Sequence, residues 1–126
     1  MRIAFLSDIH ANREALDACL RDARARGAER LVFLGDFVGY GADAAAVVAR
    51  IVDEVSRGAV AIKGNHDAAL DKRSGYFNDA AQAALDWARR TLDSTQRAFL
   101  AGLPLTVDDA PRFYVHASAA APERWD

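Results

Sequence analysis

Continuous apolar runs alternate with helically patterned segments through the first half of the chain. The apolar runs cover residues 2–7, 30–34 and 59–62, and they predict three short strands. The first run is apolar at consecutive rather than alternate positions, which indicates a strand buried on both faces. In segments 12–27 and 43–58, apolar residues recur every three or four positions and a glycine stands at the end. This order of elements predicts right-handed crossovers and a parallel sheet.

The pattern changes in the second half of the chain. Residues 78–90 have helical spacing, and the sequence Asp93-Ser-Thr-Gln96 predicts a capping box that begins a short helix. Two short apolar runs, 105–107 and 112–115, flank an Asp-Asp-Ala-Pro turn, which indicates an antiparallel hairpin. The predicted fold class is therefore α/β, a parallel βαβαβ unit followed by helices and a β-hairpin, within one domain over residues 1–126.

Composition narrows the class of protein. The chain has 126 residues, of which 16 are Lys or Arg and 18 are Asp or Glu, so its net charge is −2. A domain of this length can bury a core without disulfides, and we expect the one cysteine, Cys19, to be a core residue on the first helix. No apolar run is long enough to span a membrane, and the near-neutral charge disfavours binding of nucleic acids through their phosphates. A lone cysteine fits a reducing compartment, so we expect a cytoplasmic protein.

Polar residues that can bind metal ions follow each predicted strand. In chain order these residues are Asp8, His10, Asp36, Asn65, His66, Asp67 and His116, and they include all three histidines of the chain. Because the carboxyl ends of parallel strands meet at one edge of a sheet, we expect these side chains to converge. Carboxylate, imidazole and amide groups suit Mn²⁺, Fe²⁺, Zn²⁺ or Mg²⁺. Asp36 has two carboxylate oxygens and could bridge two ions roughly 3.5–4 Å apart, as in two-metal hydrolases.

Each of these residues also has a simpler interpretation when it is considered alone. Asp8 or Asn65 could be a helix cap or a turn former, and His116 could be a buried histidine with satisfied hydrogen bonds. Asp67 could begin a short helix. A dinucleotide-binding loop at residues 39–41 is disfavoured, because the third glycine is missing and a carboxylate precedes it.

Four short motifs in this order resemble a known family. The motifs are Asp8-Ile-His10, Gly35-Asp36-Phe-Val-Gly39-Tyr40, Gly64-Asn65-His66-Asp67 and Val115-His116-Ala, and they resemble the successive signatures of the calcineurin-like metallophosphoesterases. The likeness is greatest to the small bacterial phosphodiesterases and phosphatases, and it extends to about residue 118. It implies half of an α/β sandwich and hydrolysis of phosphomonoesters, phosphodiesters or nucleotides by attack of a metal-bound hydroxide.

The resemblance also implies a role for each site residue. Asp8 and His10 would hold one metal ion, Asn65 and His116 would hold a second, and Asp36 would bridge the two. Mn²⁺ is the favoured metal.

The same resemblance implies residues that act on the substrate. His66 would stabilise or protonate the leaving oxygen, and Asp67 would fix its tautomer. Asn12 and Arg13 are near enough to the predicted site to contact a substrate phosphate. The implied partner is a phosphorylated small molecule or a nucleotide.

The sequence departs from the family pattern in one respect. Family members supply two further metal-binding histidines from a Gly-His-x-His segment well after the position of His116, and this sequence has no such segment. We therefore expect the N-terminal half of the family fold, with the inner face of the first sheet poorly covered. The missing half, or another copy of the chain, would complete the site. The alternative function is a catalytically incomplete binding or interaction module.

Overall fold

A computed structural model describes residues 1–71 and 77–126. Its first half is a parallel sheet in the order β1 (Ile3–Leu6), β2 (Arg30–Phe33) and β3 (Val60–Ala61). Helices α1 (Arg13–Ala25) and α2 (Ala44–Ser56) connect the strands. The predicted parallel βαβαβ unit is confirmed, and the carboxyl ends of its strands lie at one edge of the sheet.

Three helices and a hairpin complete the described part of the chain. They are α3 (Asn65–Ala69), α4 (Asp79–Thr91), α5 (Ser94–Ala101), β4 (Thr106–Asp109) and β5 (Arg112–Val115), and a 3₁₀ turn, Pro122–Arg124, follows. The predicted capping box begins α5, since the carboxylate of Asp93 accepts from the backbone of Gln96 at 2.8 Å. No helix among the described residues is long and apolar enough to span a membrane.

The hairpin differs from the prediction at its turn. Asp108 and Asp109, which were expected in the turn, pair with β5 as the last residues of β4. The connection is reduced to Ala110 and Pro111, which are joined by a cis peptide bond. The antiparallel pairing of β4 with β5 therefore extends as far as Asp109 and Arg112, the residues on either side of the turn.

The main core lies between the parallel sheet and the helices. Its fully buried side chains include Leu16, Leu20, Phe33, Phe37, Val47, Val48, Ile51, Leu85 and Leu100. Burial of each such side chain contributes about 1.5–3 kcal/mol. A second, smaller cluster of Val32, Ile62 and Tyr114 lies where the hairpin meets the sheet. The face of the parallel sheet that packs against the helices is thus well covered, and this packing fixes the positions of the strand ends.

Two predictions about burial were wrong, and both concern the β1 side of the molecule. Phe5 is exposed, because β1 is an edge strand with a neighbouring strand on one side only, although the Phe5 ring lies 5.8 Å from that of Tyr114 in the hairpin, measured between centroids. Cys19 is also exposed. The buried stripe of α1 consists of Leu16, Leu20 and Ala23, and Cys19 lies beside it, toward the same uncovered strand.

Arg89 ties α4 to the end of α3. Its guanidinium donates to the carbonyl oxygens of Leu70 and, at 2.7 Å, of Ala69, and it pairs with Asp86 at 2.6 Å. The two carbonyls belong to buried residues at the last turn of a helix, where no intrahelical donor is available. Arg89 therefore supplies donors that this short helix lacks.

We expect Arg89→Met to lower the free energy of unfolding by about 2 kcal/mol, because two buried carbonyls lose their donor. Arg90→Met is the matched control on the same helix. Arg90 is exposed and lies 5.9 Å from the ring centroid of Trp87, so its loss should cost about 0.5 kcal/mol. Urea denaturation of both variants measures the difference, and equal losses would show that Arg89 does not hold α3.

Candidate metal centre

The pairing of β1 and β2 continues beyond the strands and brings the first candidate ligands together. The backbone N–H of Asp8 donates to Gly35 at 3.0 Å, and that of His10 donates to the carbonyl of Asp36 at 2.9 Å. Asp8, His10 and Asp36 all have left-handed backbone, with φ of 55°, 48° and 59°. This conformation costs about 1–2 kcal/mol for a residue with a side chain, and such strain clusters at functional sites.

Gly35 and Gly64 allow the loops after β2 and β3 to approach closely. A Cβ atom at Gly64 would lie 2.1 Å from Oδ1 of Asp36, and one at Gly35 would lie 2.5 Å from the backbone nitrogen of Gly64. Only glycine is compatible with this spacing. Because the two loops approach this closely, the backbone N–H of His66 donates to Oδ1 of Asp36 at 2.9 Å.

The carboxylate of Asp36 is the centre of the cluster. Its Oδ2 atom lies 3.6 Å from Nε2 of His10, 3.5 Å from Nε2 of His116 and 4.0 Å from Nε2 of His66. Oδ1 of Asp8 lies 3.7 Å from Nε2 of His10. The structure thus brings Asp8 and all three histidines of the chain around the buried carboxylate of Asp36.

Backbone carbonyl groups orient two of the imidazoles. Nδ1 of His10 lies 3.0 Å from the carbonyl oxygen of Val38, and Nδ1 of His116 lies 2.6 Å from that of Leu34. The carbonyl can only accept, so Nδ1 carries a proton in each case, and in the neutral ring the lone pair of Nε2 is then directed at the cluster. This is the usual orientation of histidines that bind metals. These two carbonyls could not be found by sequence analysis, since every residue supplies one.

The side chains of Asn65, His116 and Asp36 bring several acceptor atoms together, as a bound cation would require. The amide oxygen of Asn65 lies 3.1 Å from Nε2 of His116 and faces only acceptors. If the amide oxygen and nitrogen are exchanged, the nitrogen donates to His116 and to both oxygens of Asp36, at 3.1 and 3.3 Å. In the unexchanged orientation, a positive ion would satisfy the same atoms. Adjacent ligands with bonds of about 2.1 Å to one ion are about 3 Å apart, close to these spacings.

Two groups of three residues have ligand atoms near enough to share an ion. One group is His10, Asp36 and His66, and the other is Asp8, Asp36 and His116. The ligand atoms within each group lie within 4.8 Å of one another. Asp36 is common to both groups, as a bridging carboxylate requires. The groups combine the residues differently from the pairs that the family resemblance implies, and they include His66.

His66 and His116 differ in their electrostatics. A hydrogen bond to Asp36 raises the pKa of His116 to about 9, while burial acts in the opposite direction. Burial lowers the pKa of His66, and the charge of Asp36 opposes that shift. The nearby carboxylate of Asp36 therefore outweighs burial for His116, whereas burial is the larger influence on His66.

His66 lies in a mostly apolar environment. Its ring contacts those of His10 and Phe77 at 4.7 Å and that of Tyr40 at 5.0 Å between centroids. Its Nδ1 atom is buried and has no hydrogen-bond partner among residues 1–71 and 77–126. A Cβ atom at Gly39 would lie 2.5 Å from that nitrogen, so the glycine makes room for the ring. Sequence analysis missed Phe77, because an apolar residue before a helix carries no distinctive signal.

The predicted contact between Asp67 and the His66 ring is wrong. The Asp67 carboxylate accepts instead from four backbone N–H groups, those of Asp36 (2.8 Å), Phe37 (2.9 Å), Val38 (3.4 Å) and Gly64 (2.9 Å). These amides lie in two loops that have no other acceptor for them, and the carboxylate joins the loops. Burial raises the pKa of Asp67, and the donor from Gly64 opposes that shift more than those from Phe37 and Asp36. Asp67 is the third residue of α3, which begins at Asn65.

The structure separates the two residues suggested to contact a substrate. Asn12 lines a cavity beside His10, and its side-chain oxygen caps α1 by accepting from Ala15 at 3.0 Å. The exposed guanidinium of Arg13 lies 3.5 Å from the carboxylate of Glu14. Contact of either residue with a substrate stays a prediction.

We expect Asp67→Asn to destabilise the chain by about 3 kcal/mol, because an amide nitrogen would face backbone donors in a buried position. It should also weaken binding of Mn²⁺, since the loop that carries Asp36 loses its anchor. Asp71→Asn, at an exposed position just after α3, is the control. Thermal denaturation and calorimetric titration with Mn²⁺ measure both effects. Wild-type stability of Asp67→Asn would contradict the anchoring role.

Comparison with known proteins identifies relatives of this chain. The sequence profile of the calcineurin-like phosphoesterases matches residues 1–117. The chain is 37% identical over 130 residues to the uncharacterized protein MJ0912 of Methanocaldococcus jannaschii, a match that covers 98% of this chain and 52% of the relative. It is 33% identical over 107 residues to phosphodiesterase YfcE of Escherichia coli K12, which covers 79% of this chain and 55% of that protein.

A solved structure shows the same fold. The metallophosphoesterase from Sphaerobacter thermophilus superposes with a TM-score of 0.81 at 34% sequence identity, covering 97% of this chain and 49% of that chain. The chain spans about half the length of the curated relatives it matches. All four motifs lie within the matched residues, and the chain belongs to the calcineurin-like phosphoesterase family.

Proposed function

We propose that this chain carries the metal centre of a phosphoesterase that uses two divalent ions to hydrolyse a small phosphorylated substrate. The observation that carries the proposal is the buried carboxylate of Asp36, whose oxygens belong to both groups of possible ligands. A buried carboxylate that faces three histidine nitrogens is costly unless positive charge accompanies it. Two shared ions would supply that charge.

The proposed metal ligands lie on two sides of Asp36. Asp8 and His10 would hold one ion, and Asn65 and His116 would hold the other. Bound divalent ions polarise a phosphoryl group and lower the pKa of water, which is the chemistry that phosphoester hydrolysis needs. Mn²⁺ is our favoured metal, and the nitrogen and oxygen ligands also suit Fe²⁺, Zn²⁺ or Mg²⁺.

His66 is the residue that we assign to proton transfer. Its backbone is fixed by the hydrogen bond to Asp36, and its ring is held by Gly39 and the aromatic contacts. The Nε2 atom faces the cluster at 4.0 Å from Asp36, so it can hold a proton near a leaving oxygen. This role differs from metal ligation, which the grouping with His10 would also allow. The two roles predict different behaviour of a variant.

The substrate class follows from the relatives and from the charge of the chain. YfcE is a phosphodiesterase by name. The net charge of −2 gives no basis for strong binding to nucleic acid phosphates. We therefore propose a small phosphoester or a nucleotide as the substrate.

A second candidate function is an interaction module with an incomplete site. The exposed aromatic rings of Phe5 and Phe113 favour it, because large exposed apolar groups are common at interaction surfaces. A chain that binds no divalent ion would support this second candidate.

We expect the wild-type chain to retain Mn²⁺ after loading and desalting, and Asp36→Ala to lose it entirely, because the shared ligand is removed. Asp53→Ala, which changes an exposed carboxylate of α2, is the control and should retain Mn²⁺ at the wild-type level. Elemental analysis gives the metal content per chain. Retention of all metal in Asp36→Ala would contradict the proposed centre.

The His66→Ala variant separates proton transfer from metal ligation. We expect this variant to bind Mn²⁺ like the wild type and to hydrolyse bis(p-nitrophenyl) phosphate more slowly by a factor of about 10²–10⁴, the usual contribution of a positioned acid or base. Metal content and steady-state rates are measured on the same preparation. Loss of one ion in His66→Ala would instead assign His66 as a ligand.

A further inference from the structure

An open cavity of about 500 Å³ adjoins the Asp8 and His10 side of the metal centre. The start of α1 forms one wall, and the loop before α2 forms the other. Tyr40 lies in that loop, and its side chain is among the most exposed large side chains of the described residues. The cavity is therefore a place where the part of a substrate next to its phosphate would lie.

The Tyr40 ring is positioned by contacts with two histidine rings and by its own loop. Its ring lies 4.9 Å from that of His10 and 5.0 Å from that of His66 between centroids. The backbone of Tyr40 is left-handed, with φ of 61°, and the next residue, Gly41, donates to the carbonyl oxygen of His10 at 3.1 Å. A tyrosine in this conformation is strained, so the surrounding loop must hold it there. Tyr40 as a whole residue is nevertheless 57% exposed.

The other polar groups of the cavity limit what could lie against this ring. Three acidic residues, Asp8, Glu14 and Asp43, are among those that line it, and the carboxylate of Glu14 lies 3.5 Å from the guanidinium of Arg13. The side chain of Asp43 makes no hydrogen bond to the first turn of α2. Carboxylates repel a second phosphate and accept hydrogen bonds from hydroxyl or amino groups.

We propose that Tyr40 is a specificity-determining residue for a nucleoside that is esterified to the phosphate. The Tyr40 ring stacks on the base, and the hydroxyl or amino groups of the nucleoside face Asp43 and Glu14. The inference rests on the proposed function, since the metal centre would hold the phosphate. Aromatic stacking on a base strengthens binding by about tenfold or more. The same cavity disfavours a substrate with a second phosphate at that position.

Calorimetric titration of the Mn²⁺-loaded chain with two phosphonates tests the proposal. One is the phosphonate analogue of adenosine 5′-monophosphate, in which a methylene group replaces the ester oxygen, and the other is methylphosphonate. We expect the nucleoside phosphonate to bind the wild type at least about tenfold more tightly. Tyr40→Phe, which keeps the ring, should preserve this preference, and Tyr40→Leu and Tyr40→Ala should abolish it without changing the affinity for Mn²⁺.

The outcomes distinguish the two proposals. If methylphosphonate binds and the nucleoside adds no affinity, or if Tyr40→Leu keeps the preference, the role of Tyr40 is wrong and the metal centre stands. If the chain binds no Mn²⁺, or binds Mn²⁺ and neither phosphonate, the proposed function fails and the role of Tyr40 fails with it. Thermal denaturation of Tyr40→Leu shows whether its fold is intact.

Discussion

The candidate metal centre depends on the way the Asp67 carboxylate joins two loops. Four backbone N–H groups from the ends of β2 and β3 converge on this side chain. The glycines at 35 and 64 permit the approach, and the carboxylate satisfies the amides that the approach buries. A neutral or shorter side chain would leave several buried donors without an acceptor. The distance between the loops, and with it the position of Asp36, is therefore set by a residue that is not itself a candidate ligand.

The same junction explains how the chain sustains a strained cluster of charge. Asp8, His10 and Asp36 have left-handed backbone, and the acidic side chain of Asp36 is buried. Neither feature is favourable alone. The continued pairing of β1 with β2 and the N–H of His66 hold these residues in place. Rigid strands on one side and a short helix on the other thus position the ligands before any ion binds, which lowers the cost of binding one.

The elements and the cluster could be predicted from the sequence, because both depend on local patterns. Continuous apolar runs gave the strands, and polar residues at the strand ends gave Asp8, His10, Asp36, Asn65, His66 and His116. The exposure of Phe5 could not be predicted, because the run around it does not indicate which strand lies at the edge. The partners of Asp67 could not be predicted either. Its donors are backbone amides of another loop, and such amides leave no trace in the sequence.

The two sides of Asp36 differ in their contact with solvent, and this difference shapes the chemistry. The side chain of Asp8 is 57% exposed, whereas those of His116 and Asp36 are 11% and 4% exposed. Electrostatic interactions are stronger where water is excluded, so each charge at the His116 end has a larger effect than one at the Asp8 end. The exposed end is also the one that opens into the cavity beneath Tyr40. An ion at the His116 end would be held mainly by the protein, and an ion at the Asp8 end would be the one that a substrate can reach.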